Sequence, residues 1–237
     1  MRFKNILNKI TGVIFPGRCA ICDRVIVDEK GICATCEKIT KPLMGAVCMK
    51  CGKKLDGNML YCYDCSRKDH KFVRNFSVFE YPHVRESLYR FKYQGRSEYA
   101  KYYAMQAYRI HGERLKKLNA DVIIPVPLHV SRYRKRGYNQ AEELAKELSR
   151  LIHVPVKTHY IKRIKATKPL KTLDVLGRQN NLKKAFLIMQ NDVKLKTIIL
   201  VDDIYTTGAT LDEISGVCKA AGVENIYSLT VAVGDGL

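Results

Sequence analysis

The sequence predicts an α/β fold, in which a twisted, mostly parallel sheet flanked by helices follows a small N-terminal metal-binding domain. Two observations lead to this prediction. Four CxxC pairs lie within residues 19–65, a segment too short and too polar to form a good core without metal. From about residue 72 onward, apolar runs such as Ile198–Val201 have the composition of buried parallel strands. We place the N-terminal domain at residues 1–70 and the α/β domain at residues 71–237.

Length and hydropathy are those of a chain without a membrane span. The chain has 237 residues, enough for one medium α/β domain and a small second unit. No stretch reaches the roughly 20 uncharged apolar residues that a membrane helix needs. The opening segment, MRFKNILNKITGVIFPG, has apolar residues at helical spacing, but Lys9 interrupts them and no small-residue cleavage site follows. We therefore expect a short amphipathic helix in a cytoplasmic protein.

The net charge favours anionic partners. Lysine and arginine number 42 against 23 acidic residues, so the formal charge is +19. The excess lies in the first 171 residues, and the last quarter of the chain is slightly acidic. Such a field attracts polyanions, either nucleic acid or a small phosphorylated ligand. A charge that serves solubility alone is the alternative.

The cysteine pattern predicts two zinc sites in a reducing compartment. Each cysteine of the first two CxxC pairs recurs 29 residues later, so C-x2-C-x10-C-x2-C occurs twice. Two thiolates from one tight turn and two from another complete the tetrahedral sulfur cage that Zn²⁺ prefers. We assign one ion to Cys19, Cys22, Cys33 and Cys36, and the other to Cys48, Cys51, Cys62 and Cys65. The spacing also allows a cross-braced pairing. The ribbons serve either as structural support or, through Lys50, Lys53 and Lys54, as a nucleic-acid contact.

The segment after Ile198–Val201 predicts a site for a phosphorylated sugar. Asp202 and Asp203 fall at the carboxyl end of the strand, where ligands bind in open α/β sheets. A small-residue turn, Thr206–Thr210, then leads into the amphipathic run Leu211–Ala221. Backbone N–H groups and the helix dipole make such a turn an anion cradle. Two carboxylates are unsuitable as phosphate ligands, so we interpret them as acceptors for vicinal sugar hydroxyls, with Mg²⁺ as a further partner.

These residues, IILVDDIYTTGAT, resemble the motif with which type I phosphoribosyltransferases bind 5-phosphoribosyl 1-pyrophosphate (PRPP). The resemblance implies a type I phosphoribosyltransferase-like fold and Mg²⁺ bound together with PRPP. It implies that Asp202 and Asp203 hold the ribose hydroxyls. The 5′-phosphate would be held by the loop that follows, namely Tyr205, Thr206, Thr207, Gly208, Ala209 and Thr210.

Further segments extend the resemblance over nearly the whole chain, to the ComF family of competence-associated proteins with a double zinc ribbon. They are FPGRCAIC, FKYQGR, DVIIPVPLHVSRYRKRGYNQAEELA and RIKATKPLKTLDVLGRQNNLKKAF. The resemblance implies a pyrophosphate loop after the strand Asp121–Val126, with Pro127, Leu128, Arg132 and Arg136. It also implies a mobile lid over residues 163–178, with Arg163, Lys165, Lys168 and Arg178. Leu170 departs from the glutamine frequent in the family. Asn139 would cap the helix Ala141–Leu151.

Three functions follow from this resemblance. The first is a module that binds PRPP and Mg²⁺ and handles single-stranded DNA in natural transformation, with competence DNA-uptake proteins as partners. The second is an active phosphoribosyltransferase with an unidentified nitrogen acceptor. Enzymes that salvage 6-oxopurines usually carry an aspartate where this motif has Thr206, so their general base is absent and the catalytic residues are unknown. The third is a PRPP-sensing regulator.

Basic residues interleaved with aromatics are the candidates for nucleic-acid binding, because bases stack on rings while cations follow the backbone. The candidates are Lys92, Tyr93, Arg96, Arg134 and Lys135. The same aromatic stripe, which runs from Tyr89 to Tyr108, has helical spacing, and the alternative is that half of it is core.

Overall fold

The computed structural model of the chain describes residues 17–27, 30–165, 185–189 and 194–234. Its strands are β1 (Arg74–Glu80), β2 (Val122–Pro125), β3 (Ile161–Arg163), β4 (Phe186–Ile188), β5 (Thr197–Tyr205) and β6 (Asn225–Val233). Four of them form one sheet in the order β1-β6-β5-β2, and every neighbouring pair in it is parallel. β3 and β4 form a small antiparallel sheet. The predicted parallel α/β architecture is confirmed.

Seven helices are present in the described part of the chain. They are α1 (Ala34–Ile39), α2 (Tyr63–Arg67), α3 (Tyr81–Tyr93), α4 (Tyr99–Lys117), α5 (Val130–Arg136), α6 (Gln140–Ile152) and α7 (Ala209–Ala220). α4 packs against α6 and β1, and α6 also contacts β2 and β5. The Asn139 side chain accepts a hydrogen bond from the Ala141 amide at 3.1 Å, as the sequence predicts for an N-cap. None of the described helices is long and apolar enough to cross a membrane.

The strands are buried on both faces. Ile199 and Val201 of β5 belong to the core beneath α3, α4 and α6, whereas Ile198 and Leu200 belong to the core beneath α7. Side chains alternate across a strand, so a strand that is covered on both sides needs an unbroken apolar run. The run Ile198–Val201 meets that need.

The cysteine-rich segment does not form a core of its own. Ala20 and Ile32 join the core beneath α3 and α4, and Leu43 and Leu55 join the core beneath α7. Each ribbon therefore packs into the core on a different face of the sheet. The domain boundary that we place between residues 70 and 71 stays a prediction.

Polar contacts hold the first ribbon against α3 and α4. Asp23 accepts two hydrogen bonds from the Arg96 guanidinium, at 2.8 and 2.9 Å, and one from the Tyr99 hydroxyl at 2.5 Å. Ser87 and Arg90 donate to the carbonyls of Ala20 and Ile21. Burial acts to raise the pKa of Asp23, but the hydrogen bonds from Arg96 and Tyr99 outweigh it, so that the pKa lies below its ordinary value. The ribbon is thus fastened through an ionised carboxylate.

Candidate functional site

The eight paired cysteines form two cages. The sulfur atoms of Cys19, Cys22, Cys33 and Cys36 all lie within 4.8 Å of one another, and so do those of Cys48, Cys51, Cys62 and Cys65. The Sγ atoms of Cys22 and Cys33 are 3.8 Å apart, and those of Cys51 and Cys62 are 3.7 Å apart. Tetrahedral zinc with bonds of about 2.3 Å requires sulfur–sulfur edges of about 3.8 Å. The cages therefore fit zinc, and the pairing is consecutive, not cross-braced.

The two ribbons share their cysteine spacing and a backbone hydrogen bond but differ at the residue after the second cysteine. The Cys33 amide donates to Cys19 Sγ at 3.3 Å, and the Cys62 amide makes the equivalent bond to Cys48 Sγ at 3.4 Å. Asp23 and its counterpart Gly52 both have positive φ, 64° and 79°. A Cβ on Gly52 would lie 3.1 Å from the Ser77 amide nitrogen of β1. Glycine therefore lets the second ribbon approach the sheet, whereas Asp23 binds Arg96.

A cavity of about 360 Å³ opens at the carboxyl ends of β2 and β5. It contains most of the site residues predicted from the sequence, which are Asp202, Asp203, Tyr205, Thr206, Gly208, Ala209, Thr210, Pro127, Leu128, Arg132, Arg136 and Arg163. It also contains three of the nucleic-acid candidates, which are Lys92, Tyr93 and Lys135. Carboxylates, a helix N-terminus and several cations thus converge in one cleft.

The two aspartates have different surroundings. Asp203 is buried, and its Oδ2 lies 2.8 Å from Lys92 Nζ and accepts a hydrogen bond from Gln140 Nε2 at 2.8 Å. Asp202 Oδ1 accepts a hydrogen bond from the Asp203 amide. Burial of the Asp202 carboxyl group, and then the charge of Asp203, raise the pKa of Asp202 to about 7. A ligand that brings hydroxyl donors or positive charge would stabilise the ionised form of Asp202.

Gln140 is a site residue that our sequence analysis missed. It is the first residue of α6, and its side chain links Asp203 to Arg136, whose Nη1 donates to Gln140 Oε1 at 2.8 Å. The Arg136 guanidinium also lies 4.8 Å from the centre of the Tyr93 ring and donates to its hydroxyl. The one sequence signal for Gln140 is its position directly after the N-cap Asn139, where the buried face of the helix begins.

The predicted 5′-phosphate loop joins β5 to α7. Gly208, with φ of 73°, is the N-cap residue of α7, and Thr206 and Thr210 line the cavity. The Tyr205 hydroxyl lies beneath the loop, 3.3 Å from His70 Nε2, and a Cβ on Gly208 would come within 2.6 Å of it. Thr207 lines a second cavity, against the second ribbon. The loop thus lines the main cavity, and Tyr205 supports it from below.

Several cationic side chains also line the cavity. Burial, and then the charge of Arg132, lower the pKa of Arg163 to about 10, although Asp202 opposes the shift. Burial and the charge of Arg136 lower the pKa of Arg132. Cations crowded together in a buried wall favour a polyvalent anion, which neutralises several of them at once. Arg132 and Arg136 lie on the helix α5, where the resemblance had suggested a loop.

The remaining candidates lie elsewhere. Arg96 is bound to Asp23 of the first ribbon, while Arg134 and Lys165 are exposed. Lys168 and Arg178 fall outside the described residues. Of the aromatic stripe, Phe91, Tyr99, Tyr102 and Tyr103 are buried, and Tyr89 and Tyr93 are each 51% exposed. The interpretation of this stripe as half core is confirmed.

Comparison with known proteins agrees with this two-part architecture. Residues 10–66 match the family described as a double zinc ribbon domain. Residues 104–235, more than half of the chain, match the phosphoribosyl transferase domain family. The first match covers both cysteine cages, and the second covers all the residues that line the cavity except Lys92 and Tyr93.

Named relatives are similar over most of their length. Competence protein F of Haemophilus influenzae is 32% identical over 223 residues, which cover 90% of this chain and 95% of that protein. DNA utilization protein YhgH of Escherichia coli K12 is 31% identical, with 84% and 89% covered. Competence protein ComFC of Bacillus subtilis is 33% identical, with 78% and 75% covered. The chain belongs to the ComF family, whose members join a double zinc ribbon to a phosphoribosyltransferase domain.

Proposed function

We propose that the chain binds PRPP together with Mg²⁺ in the main cavity. The observation that carries this proposal is that Asp202 and Asp203 line one cavity together with the N-terminus of α7 and the Arg132 and Arg163 cations. PRPP carries the chemical groups that such a cavity suits, namely ribose hydroxyls, a 5′-phosphate and a 1-pyrophosphate.

Each chemical group of PRPP has matching residues in the cavity. The carboxylates of Asp202 and Asp203 accept the two ribose hydroxyls. The amides of Thr206–Thr210 and the dipole of α7, a helix of 12 residues, hold the 5′-phosphate. Arg132, Arg136 and Arg163 hold the pyrophosphate. Mg²⁺ prefers oxygen ligands, so the pyrophosphate oxygens and the nearby carboxylates would be suitable to hold it, and it would supply positive charge to neutralise the pyrophosphate.

We also propose a role for Lys92 within the cavity; its nucleic-acid role stays a prediction. Its ammonium group lies 2.8 Å from the Asp203 carboxylate inside the cavity, with 16% of its side chain exposed. It offsets the charge of two adjacent aspartates before a ligand arrives. Because Lys92 also lines the cavity, its charge would add to the cations available to a bound pyrophosphate.

The test is a calorimetric titration with PRPP and Mg²⁺, followed by an assay for released pyrophosphate. We expect saturable 1:1 binding that needs Mg²⁺. Release of pyrophosphate that depends on an added nitrogen acceptor would favour the enzyme, and binding without release would favour the binding module. Ribose 5-phosphate and pyrophosphate, each added alone, are the controls, and equal affinity for all three ligands would contradict a site that is built for PRPP.

We further propose a ComF-like role in competence, in the cytoplasm, with single-stranded DNA as the partner. The names of two relatives refer to competence and that of a third to DNA utilization. The formal charge of +19 supports a polyanionic partner, and Arg134 and Lys135 are exposed on α5, where Lys135 also lines the cavity. None of the nine cysteines, all of which lie in the described part of the chain, forms a disulfide, which agrees with a reducing compartment.

Replacing Arg134 and Lys135 with alanine should weaken the binding of labelled single-stranded DNA. Each lost phosphate contact removes about 0.7 from the slope of log affinity against log salt, so the double variant should lower the slope by about 1.4. Fluorescence anisotropy at several salt concentrations measures it. The matched control replaces Arg114 and Lys117, which are exposed at the end of α4. Equal losses of DNA affinity in both variants would mean that binding depends on the overall charge of the protein and not on α5.

A further inference from the structure

The segment that follows the last cysteine of the second ribbon runs directly beneath the 5′-phosphate loop. α2 begins after Cys62, carries Cys65 and ends at Arg67, and Lys68 is its C-terminal cap. A helix of five residues does not persist on its own in water. The cage that contains Cys62 and Cys65 is therefore what sets the position of Lys68.

Lys68 holds the middle of the loop. Its Nζ donates a hydrogen bond to the Thr207 carbonyl at 3.1 Å and lies 2.7 Å from the Asp212 carboxylate in the first turn of α7. One ammonium group therefore joins the second ribbon to the loop and to the helix that follows it. The lysine side chain is 29% exposed, so these contacts are only partly screened by water.

His70 supports the two ends of the loop. Its Nδ1 lies 2.8 Å from Asp212 Oδ2, and its Nε2 lies 3.3 Å from the Tyr205 hydroxyl. The imidazole also fills the space under Gly208, since a Cβ at that residue would meet His70 Cε1 at 2.9 Å. Burial acts to raise the pKa of Asp212, but the bonds from His70 and Lys68 outweigh it and hold the pKa below its ordinary value. The anchor at the base of the loop is thus an ionised carboxylate.

The first ribbon is attached to a different part of the molecule. Its contacts go to α3 and α4, through Asp23 to Arg96 and Tyr99 and through Ala20 to Ser87. The second ribbon instead meets β1 and the loop, where the Asn75 amide donates to the Lys50 carbonyl at 2.7 Å. The protein therefore contains two cages of the same composition, of which one adjoins the phosphate loop.

We propose that Lys68 is a positioning residue for the 5′-phosphate loop and that metal in the second ribbon sets its position. PRPP binding then depends on metal in the second ribbon and not on metal in the first. The inference rests on the proposed PRPP site and adds a regulation to it. Loss of the second metal ion frees α2, withdraws Lys68 and His70 from the loop and leaves its amides in many conformations.

The experiment compares two matched double variants of the full chain, Cys62→Ser with Cys65→Ser and Cys33→Ser with Cys36→Ser. Each should retain one metal ion, as elemental analysis will verify. The second-ribbon variant should bind PRPP about tenfold or more weakly, which is the factor expected when a loop is competent one-tenth of the time. The first-ribbon variant should stay within about twofold of the wild type. Equal losses in both variants would overturn the proposal.

Single substitutions of Lys68 test the same coupling with both metal ions in place. Lys68→Met should weaken PRPP binding, and Lys68→Arg, which keeps a cationic donor, should restore most of it. Arg67→Met is the matched control, because the Arg67 guanidinium lies over the Tyr63 ring. A Lys68→Met protein with wild-type PRPP affinity would rule out the positioning role.

Amide hydrogen exchange separates this inference from the proposed function. Peptides that cover residues 205–212 should exchange faster in the second-ribbon variant and in Lys68→Met, and at the wild-type rate in the first-ribbon variant. This readout needs no PRPP. If the wild-type protein fails to bind PRPP, the proposed function is wrong, and the exchange rates still decide whether the second ribbon orders the loop. Unchanged exchange in the second-ribbon variant would overturn the coupling.

Discussion

Replacing Asp202 and Asp203 together with asparagine should abolish measurable PRPP binding and leave the fold intact. Each carboxylate that accepts a ribose hydroxyl contributes about 1.5–3 kcal/mol, the value for a hydrogen bond to a charged group. Losing both contacts lowers the affinity by roughly 10²- to 10⁴-fold. Asparagine keeps the shape of aspartate, so the loss reports on charge and not on packing. Calorimetry measures the affinity, and circular dichroism verifies the fold.

The pH dependence of the single variant Asp202→Asn gives an independent test. The pKa of Asp202 is raised to about 7, so the carboxyl group is mostly protonated at pH 6 and ionised at pH 8. If the ionised form binds the ribose, wild-type affinity should rise about tenfold across this range, apart from the titration of PRPP itself. Asp202→Asn should show only the contribution of PRPP. Identical pH profiles for the two proteins would contradict this role.

The stability of Asp202→Asn should change in the opposite direction to its affinity. The ordinary pKa of an unfolded aspartate is about 3.9. A carboxyl group with a higher pKa in the folded state favours folding while it is protonated, and this contribution is lost as the pH rises from about 4 to 7. Removing the charge should therefore raise the Tm at pH 8. A variant that lost both affinity and Tm would show that Asp202 serves the fold.

Removing both metal ions should unfold residues 19–65 and also destabilise the sheet. A structural zinc site contributes apparent binding energies of about 10–16 kcal/mol, which exceeds what these short ribbons gain from burial. The ribbons also contribute Ala20, Ile32 and Leu43 to the two cores of the sheet. Both cores therefore lose packing contacts when the ribbons unfold. We expect the Tm of the remaining transition to fall by about 10 °C or more, at roughly 2–4 °C per kcal/mol for a chain of this size.

Calorimetric unfolding before and after treatment with a chelator measures the change, and elemental analysis counts the ions released. Cys218→Ala is the matched control, since Cys218 is buried in the core beneath α7 and lies in neither cage. It should keep both ions. Unchanged unfolding after both ions leave would show that the cages do not support the fold.

The sequence by itself determined those features that depend on neighbouring residues. A CxxC pair forms within a single turn, and its exact repetition revealed two cages with their eight ligands. The strand β5, the loop after it and the helix α7 are consecutive in the chain, so the sequence could predict that this loop and the two aspartates lie together. Asn139 was recognisable as an N-cap for the same reason, because its partner, the Ala141 amide, is two residues away.

The tertiary structure decided what depends on residues far apart in the chain. Gln140 reaches Asp203 across 63 residues, and Lys68 reaches Thr207 across 139. No local pattern records such contacts, because they arise when separate elements pack on one sheet. The same packing pairs Arg96 with Asp23 and buries four aromatic residues of the stripe. It also places two ribbons of equal cysteine spacing against different elements. Local chemistry therefore indicated which kinds of site to expect in this protein, and the fold decided which side chains meet in each cavity and cage.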